Sequence, residues 1–116
     1  MIKQIEIEIE YDKRKILIKS ESDNINIIEY KRDIIEKNII IPKDMINVFI
    51  DSLLYIGKPE NRWQISLDDK IFVRRGTNNS IHIIKSEEDG EMISKRSITI
   101  SIDTIDFLVS AIRYVV

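Results

Sequence analysis

Five residues in the second half of the chain, Arg62, Lys70, Phe72, Arg74 and Lys95, have the types and spacing to hold an extended polyanion. Lysine and arginine neutralise phosphates, and a flat exposed ring offers an unpaired base a surface to stack on. Alternate residues of a strand share one face. Period-two reading therefore groups these five with Gln64, Ser66, His82, Ile84, Ser97 and Thr99 on the outward side of a sheet. That side carries four fixed positive charges, no acid and two rings. The corresponding side in the first half, built from Glu6, Glu8, Glu10, Lys15, Leu17, Lys19, Asn26, Ile28 and Tyr30, sets three carboxylates against two lysines. It is expected to bind phosphate poorly.

Other chemistry finds less support. The chain has no glycine-rich phosphate loop, no nucleophile elbow and no histidine–glutamate metal helix, and too few bases to assemble a triad. His82 is the single histidine and there is no cysteine, so a zinc site would need carboxylates alone as co-ligands. The Glu6-Glu8-Glu10 row could bind a hard cation, but a solvated strand face explains it more simply. The expectation is a non-enzymatic protein with no metal and no cofactor.

The basic residues also have plainer accounts. Arg74-Arg75, Lys13-Arg14-Lys15 and Lys95-Arg96 fit solvated turns or strand edges whose charge discourages edge-to-edge pairing. Trp63 reads most simply as a core ring sealing one end of a sheet. Phe72 depends on register, because a slip of one residue turns every outward side chain inward.

The elements that position these residues are mostly strands. Ile5, Ile7 and Ile9 alternate with Glu6, Glu8 and Glu10, the pattern of a strand with one buried side. Further strands are expected over Arg14 to Ser20, Asn24 to Lys31 and Glu36 to Ile41, divided by the polar cluster Ser22-Asp23-Asn24. Pro42 ends the ladder, and Asp44 stands where it could cap a helix from Met45 to Ile56, closed by Gly57 and Pro59. The second half repeats these events. Strands are expected near Arg62 to Leu67, Lys70 to Arg75, Asn79 to Ser86 and Met92 to Ile100, with Asp103 capping a last helix to about Tyr114 and Asp89-Gly90 marking a turn in a longer connection.

The repetition extends to individual residues. Ile39 to Ile50 aligns with Ile98 to Val109 at an offset of 59, placing Asp44 on Asp103 and, further on, Leu53 on Ile112 and Tyr55 on Tyr114. Lys15-Ile16-Leu17-Ile18-Lys19 matches Lys70-Ile71-Phe72-Val73-Arg74 at 55, and Asn24 to Ile28 matches Ser80 to Ile84 at 56. The drift reflects residues inserted in turns, notably Glu87 to Gly90. The expected architecture is α+β: two tandem ββββα repeats, residues 1–57 and 61–116 joined by a linker at 58–60, forming one intramolecular pseudo-dimer. Both helices are apolar around most of their circumference, so each is expected to be buried on two sides. A unit of this size would bury only ~60% of its unfolded surface alone, and two units sharing a core overcome that limit.

Composition agrees. The 116 residues include 28 isoleucines and a single alanine, which favours strands over a helical bundle. Hydrophobic residues make up 43% and charged residues 33%, the balance of a folded soluble domain. No apolar run approaches the ~20 residues that span a bilayer, and the start lacks a signal-peptide core, so a cytoplasmic location and no membrane contact are expected. The formal charge of -2 excludes a global basic field, and any polyanion must be held by a local patch.

A tandem of four antiparallel strands and a helix resembles the fold of the Pur-alpha repeats, the Whirly proteins and the single-stranded-DNA-binding transcriptional positive-cofactor family, and the stretch Lys70 to Val115, with Asp89-Gly90-Glu91-Met92 preceding Ile98-Thr99-Ile100-Ser101-Ile102, looks closest to the positive-cofactor pattern. The resemblance lies in element order and apolar pattern. It implies that two units pair and that single-stranded DNA or RNA lies across a curved sheet, with Arg62, Lys70, Arg74 and Lys95 on phosphates and Phe72 stacking. The alternative is a protein–protein interaction or assembly module, a small accessory or inhibitor protein or a homo-oligomer, that uses its helices or sheet edges.

Overall fold

The computed structural model describes residues 3–9, 13–58 and 63–116. The order is β1 (Gln4–Ile9), β2 (Arg14–Ser20), β3 (Asn24–Lys31), β4 (Ile34–Pro42), a 3-10 turn (Lys43–Met45) and α1 (Ile46–Ile56). It continues with β5 (Gln64–Ser66), β6 (Ile71–Arg75), β7 (Ser80–Asp89), β8 (Met92–Ser101), a second 3-10 turn (Ile102–Thr104) and α2 (Ile105–Val115). Each run of four strands forms its own antiparallel sheet with neighbours in sequence order. Two four-stranded sheets, each followed by a helix, are thus arranged in tandem, as the repeat implies.

Alternation decides which side of each sheet is dry. Ile16, Ile18, Ile25, Ile27, Ile39 and Ile41 point inward from the first sheet. Ile71, Val73, Ile81, Ile83, Ile98 and Ile100 do so from the second, and both sets join the helices in one continuous core. The helices are exchanged across that core. α1 lies against β5 and β6 of the second sheet, and α2 lies against β1 and β2 of the first, while the two helices also touch each other. The expectation of burial on two sides is corrected: each helix buries one continuous stripe, Ile46, Phe49, Ile50, Leu53 and Ile56 or Ile105, Leu108, Val109, Ile112 and Val115, and leaves Val48 and Tyr55, or their counterparts Phe107 and Tyr114, exposed on the other side. No described helix is long and apolar enough to cross a membrane.

Three local expectations are corrected. Asp44 and Asp103 do not cap the helices: each sits inside a 3-10 turn, the helix N-caps are Met45 and Thr104, and neither makes a side-chain capping bond. The two aspartates nevertheless occupy equivalent places, one residue after equivalent turn starts. The stretch Glu87 to Gly90 is not a longer loop. β7 and β8 stay paired out to Asp89 opposite Met92, and Gly90, at φ 64°, starts a two-residue hairpin turn. Its counterpart in the first repeat closes on Arg32 and Asp33, both at positive φ, so β4 begins at Ile34, two residues earlier than expected.

The repeats are joined where β4 and β8, the edge strands of the two sheets, meet. Lys37 donates from Nζ to the Ser97 carbonyl at 2.5 Å, and Arg96 donates from Nη1 to the Asn38 carbonyl at 3.5 Å. The offset of 59 carries Lys37 onto Arg96 and Asn38 onto Ser97, so these bonds are reciprocal, the signature of an isologous contact. A second pair flanks them. The Thr99 carbonyl accepts from Arg14 at 2.7 Å, and its counterpart, the Ile40 carbonyl, accepts from Lys85 at 3.0 Å. Arg14 is also ion-paired with buried Glu29. Basic side chains thus satisfy edge carbonyls that strand pairing leaves open.

Two measurements check this frame. Phe49 is fully buried, so Phe49→Ala is expected to cost about 3–5 kcal/mol in urea unfolding while the transition stays single, because no repeat owns a separate core. Glu29→Ala strands Arg14 at the seam and is expected to cost about 3 kcal/mol, most of which Arg14→Met with Glu29→Leu restores.

Candidate nucleic-acid interface

The outer side of β5–β8 is built in rows fixed by strand pairing. One row runs Gln64, Arg74, His82, Thr99, and the next runs Ser66, Phe72, Ile84, Ser97. Phe72 thus stands outward in the register expected of it, half-buried between Ser66 and Ile84. Arg74 lies beside it, held by a 3.0 Å bond from its Nε to Gln64 Oε1. Lys95 lies opposite Ser86 on β8 and is exposed. Lys70 belongs to the turn before β6, where Asp68 Oδ1 accepts the backbone N–H groups of Lys70 and Ile71, both at 2.7 Å. Its carbonyl accepts from the Ser86 amide at 2.8 Å, so Lys70 and Lys95 flank the same point of β7. Arg62 lies outside the described residues.

Trp63 overturns the expectation of a core ring: it is 61% exposed. β5 is only three residues long and starts at Gln64, so strand alternation does not extend back to Trp63. Its ring instead covers the guanidinium of Arg74, whose Cζ is 5.3 Å from the Trp63 centroid and 5.7 Å from that of Phe72. Lys95 Nζ is 5.8 Å from the Phe72 centroid. Trp63, Arg74, Phe72 and Lys95 therefore form a ladder of alternating rings and cations, with contacts worth ~0.5–1 kcal/mol each at an exposed site. Among the described residues, neither cation has an acidic partner within ion-pair distance. The first carboxylate on this side, Glu88, lies out on the hairpin tip opposite Ile93.

His82 and Gly76 complete one edge. His82 Nδ1 shares a 2.7 Å hydrogen bond with Thr99 Oγ1, and its ring lies over Gly76. The described residues contain no group of side chains placed to hold a metal ion.

Strand alternation also sorts the basic clusters. In each, one residue points outward and its neighbour supports the fold. Arg75, adjacent to Arg74, donates to the carbonyls of Ile56 and Lys58 and closes the C-terminal end of α1. Arg14 and Arg96 serve the seam, while Lys15 and Lys95 face out. The reading of these runs as simple solvated charge is corrected for Arg75, Arg14 and Arg96.

The equivalent outer side of β1–β4 is different in kind. Leu17 replaces Phe72, Asn26 replaces His82 and Ile40 replaces Thr99. Glu6 and Glu8 are exposed on its outermost strand, and its lysines are committed, Lys15 to Asp33 at 3.8 Å and Lys19 to Glu21 at 3.5 Å.

No family model matches the chain, and no curated protein matches it in sequence. In structure it is similar to a chain from the crystal structures of Trypanosoma bruciei MRP1/MRP2, at a TM-score of 0.57 and 4% sequence identity. The match covers 98% of this chain and 82% of that one, so the tandem sheet-and-helix fold is shared along nearly the whole length.

A Cβ at Gly76 would come closer than 3.0 Å to both His82 Nε2 and Ser80 Oγ. Gly76→Ala is accordingly expected to displace the His82 ring and cost about 1–3 kcal/mol in thermal unfolding. An unchanged midpoint, with the His82–Thr99 contact intact by NMR, would contradict this packing.

Proposed function

We propose that the outer side of β5–β8 binds single-stranded nucleic acid, DNA or RNA, as a binding module rather than a catalyst. Arg74, Lys95 and Lys70 take phosphates, with Arg62 as a fourth cation, and Phe72 and Trp63 offer ring surface to unstacked bases. The observation that supports this most directly is the ladder of exposed Trp63 and half-buried Phe72 with two cations that have no acidic partner among the described residues. A broad sheet has no element shaped to enter a duplex groove, whereas splayed bases reach its rings directly. The tandem architecture agrees with the resemblance to the Pur-alpha, Whirly and positive-cofactor proteins, in which paired units carry single strands across their sheets. The acidic first sheet and the net charge of -2 give no long-range attraction, so binding depends on short-range contacts at this one patch.

With three or four phosphate contacts, the affinity for a single strand should fall with salt at a log–log slope of about -2 to -3. Fluorescence anisotropy with a labelled single-stranded oligonucleotide is expected to show that slope and weaker binding to the matching duplex. Phe72→Ala should weaken binding about 5- to 150-fold, the equivalent of ~1–3 kcal/mol of base stacking. Arg74→Ala should weaken it and reduce the slope by ~0.7, whereas Lys19→Ala on the first sheet should change neither. Micromolar protein that gives no signal at low salt would remove this reading.

A further inference from the structure

We propose that the outer side of β1–β4 in one copy docks on the outer side of β5–β8 in another, so that the chain assembles head to tail. Internal duplication gives these two surfaces the same strand order, while substitution has given them different charge. On the first, the Lys15–Asp33 and Lys19–Glu21 pairs cancel the lysines and leave exposed Glu6 and Glu8 as the surplus. On the second, Arg74, Lys95 and Lys70 have no acid within ion-pair reach among the described residues. Beside the charges stand half-buried Ile28 and exposed Ile40 on one and half-buried Phe72 on the other, while the neighbouring Leu17 and Ile84 are themselves buried. Two such sheets can pack face to face at ~10 Å with strands ~30° apart, close enough for glutamate to reach arginine across the rim.

Charge disfavours the alternatives that bring like against like. Docking the second sheet on its own copy sets Arg74 and Lys95 against the same cations, and docking the first on its own copy sets the glutamate row against itself. Only the mixed contact brings opposite charges together. Because it is heterologous, it leaves a free surface of each kind on every pair and extends into rings or open chains. The docking itself needs no nucleic acid. If the second sheet does carry a single strand, as read above, assembly and strand binding compete for Phe72 and Arg74, and the first sheet becomes an internal rival of the ligand.

The test is sedimentation velocity of the full chain without nucleic acid. At about 0.01 M salt the mass should rise with concentration above the 13.7 kDa monomer, and it should return to the monomer near 1 M, where the Debye length falls from ~30 Å to ~3 Å. Glu6→Lys with Glu8→Lys, and separately Arg74→Glu with Lys95→Glu, should each be monomeric, with unchanged circular dichroism. Mixed in equal amounts, they bring together one unaltered pair of surfaces and one charge-reversed pair, so they should associate and recover the concentration-dependent rise in mass. A wild-type chain that stays monomeric at every concentration overturns the proposal and leaves both surfaces to other partners. So does a mixture of the folded variants that fails to associate. Oligonucleotide binding by a permanently monomeric protein would sink this inference alone, and self-association without oligonucleotide binding would sink only the preceding one.

Discussion

The crossing of β4 and β8 is the contact on which the rest of the structure depends. Two sheet edges meet there without a backbone ladder, and basic side chains from each repeat supply the donors that the other repeat's carbonyls lack. Lys37 and Arg96 exchange equivalent bonds, and Arg14 and Lys85 reach equivalent carbonyls. The two flanking contacts also show how a pseudo-dimer departs from true symmetry. Where the second repeat places Lys85, the first has Glu29, whose charge is met by Arg14, and that arginine makes the bond instead. This crossing brings each helix onto the other repeat's sheet, which makes a single core out of two units whose size alone is marginal for a core of their own.

A frame with near two-fold symmetry has free choice over what each outer surface carries. At the centre of each sheet the inward positions are held to isoleucine or valine by packing, so the repeats agree there. Outward positions are constrained only by pairing across strands, and there the repeats diverge. Leu17 against Phe72, Asn26 against His82 and Ile40 against Thr99 make one surface aliphatic and the other aromatic, and Glu6 on β1, where β5 offers Ser66, adds acid to the first. Among the described residues, the ring–cation ladder of Trp63, Arg74, Phe72 and Lys95 has no counterpart on the first sheet. The proposed strand binding rests on that asymmetry, since the shared architecture supplies only a sheet to display it.

Much of the fold was legible because period-two alternation is unambiguous in strands this rich in isoleucine. It fixed the inward sets of β2, β3, β6 and β7 and the outward placement of Phe72 and Arg74. What escaped had no local signal. Trp63 precedes a three-residue strand, too short for alternation to place it. The exchange of helices depends on contacts far apart in sequence, and a helix that is apolar on two sides does not say which sheet it will meet. Adjacent basic residues such as Arg74 and Arg75 look alike in sequence, yet opposite faces give them unrelated duties. At the hairpin tips, the charged run from Glu87 to Glu91 reads as a loop because its strands have no dry side there to enforce a pattern.

The most direct test of the account is an NMR titration of the full chain with a short single-stranded oligonucleotide. Amide shifts are expected at Gln64, Phe72, Arg74, His82, Lys95 and Thr99, with a perturbed Trp63 indole, while Glu6, Leu17, Ile28 and Ile40 stay in place. Shifts centred on the first sheet, or none on either at low salt, would contradict it.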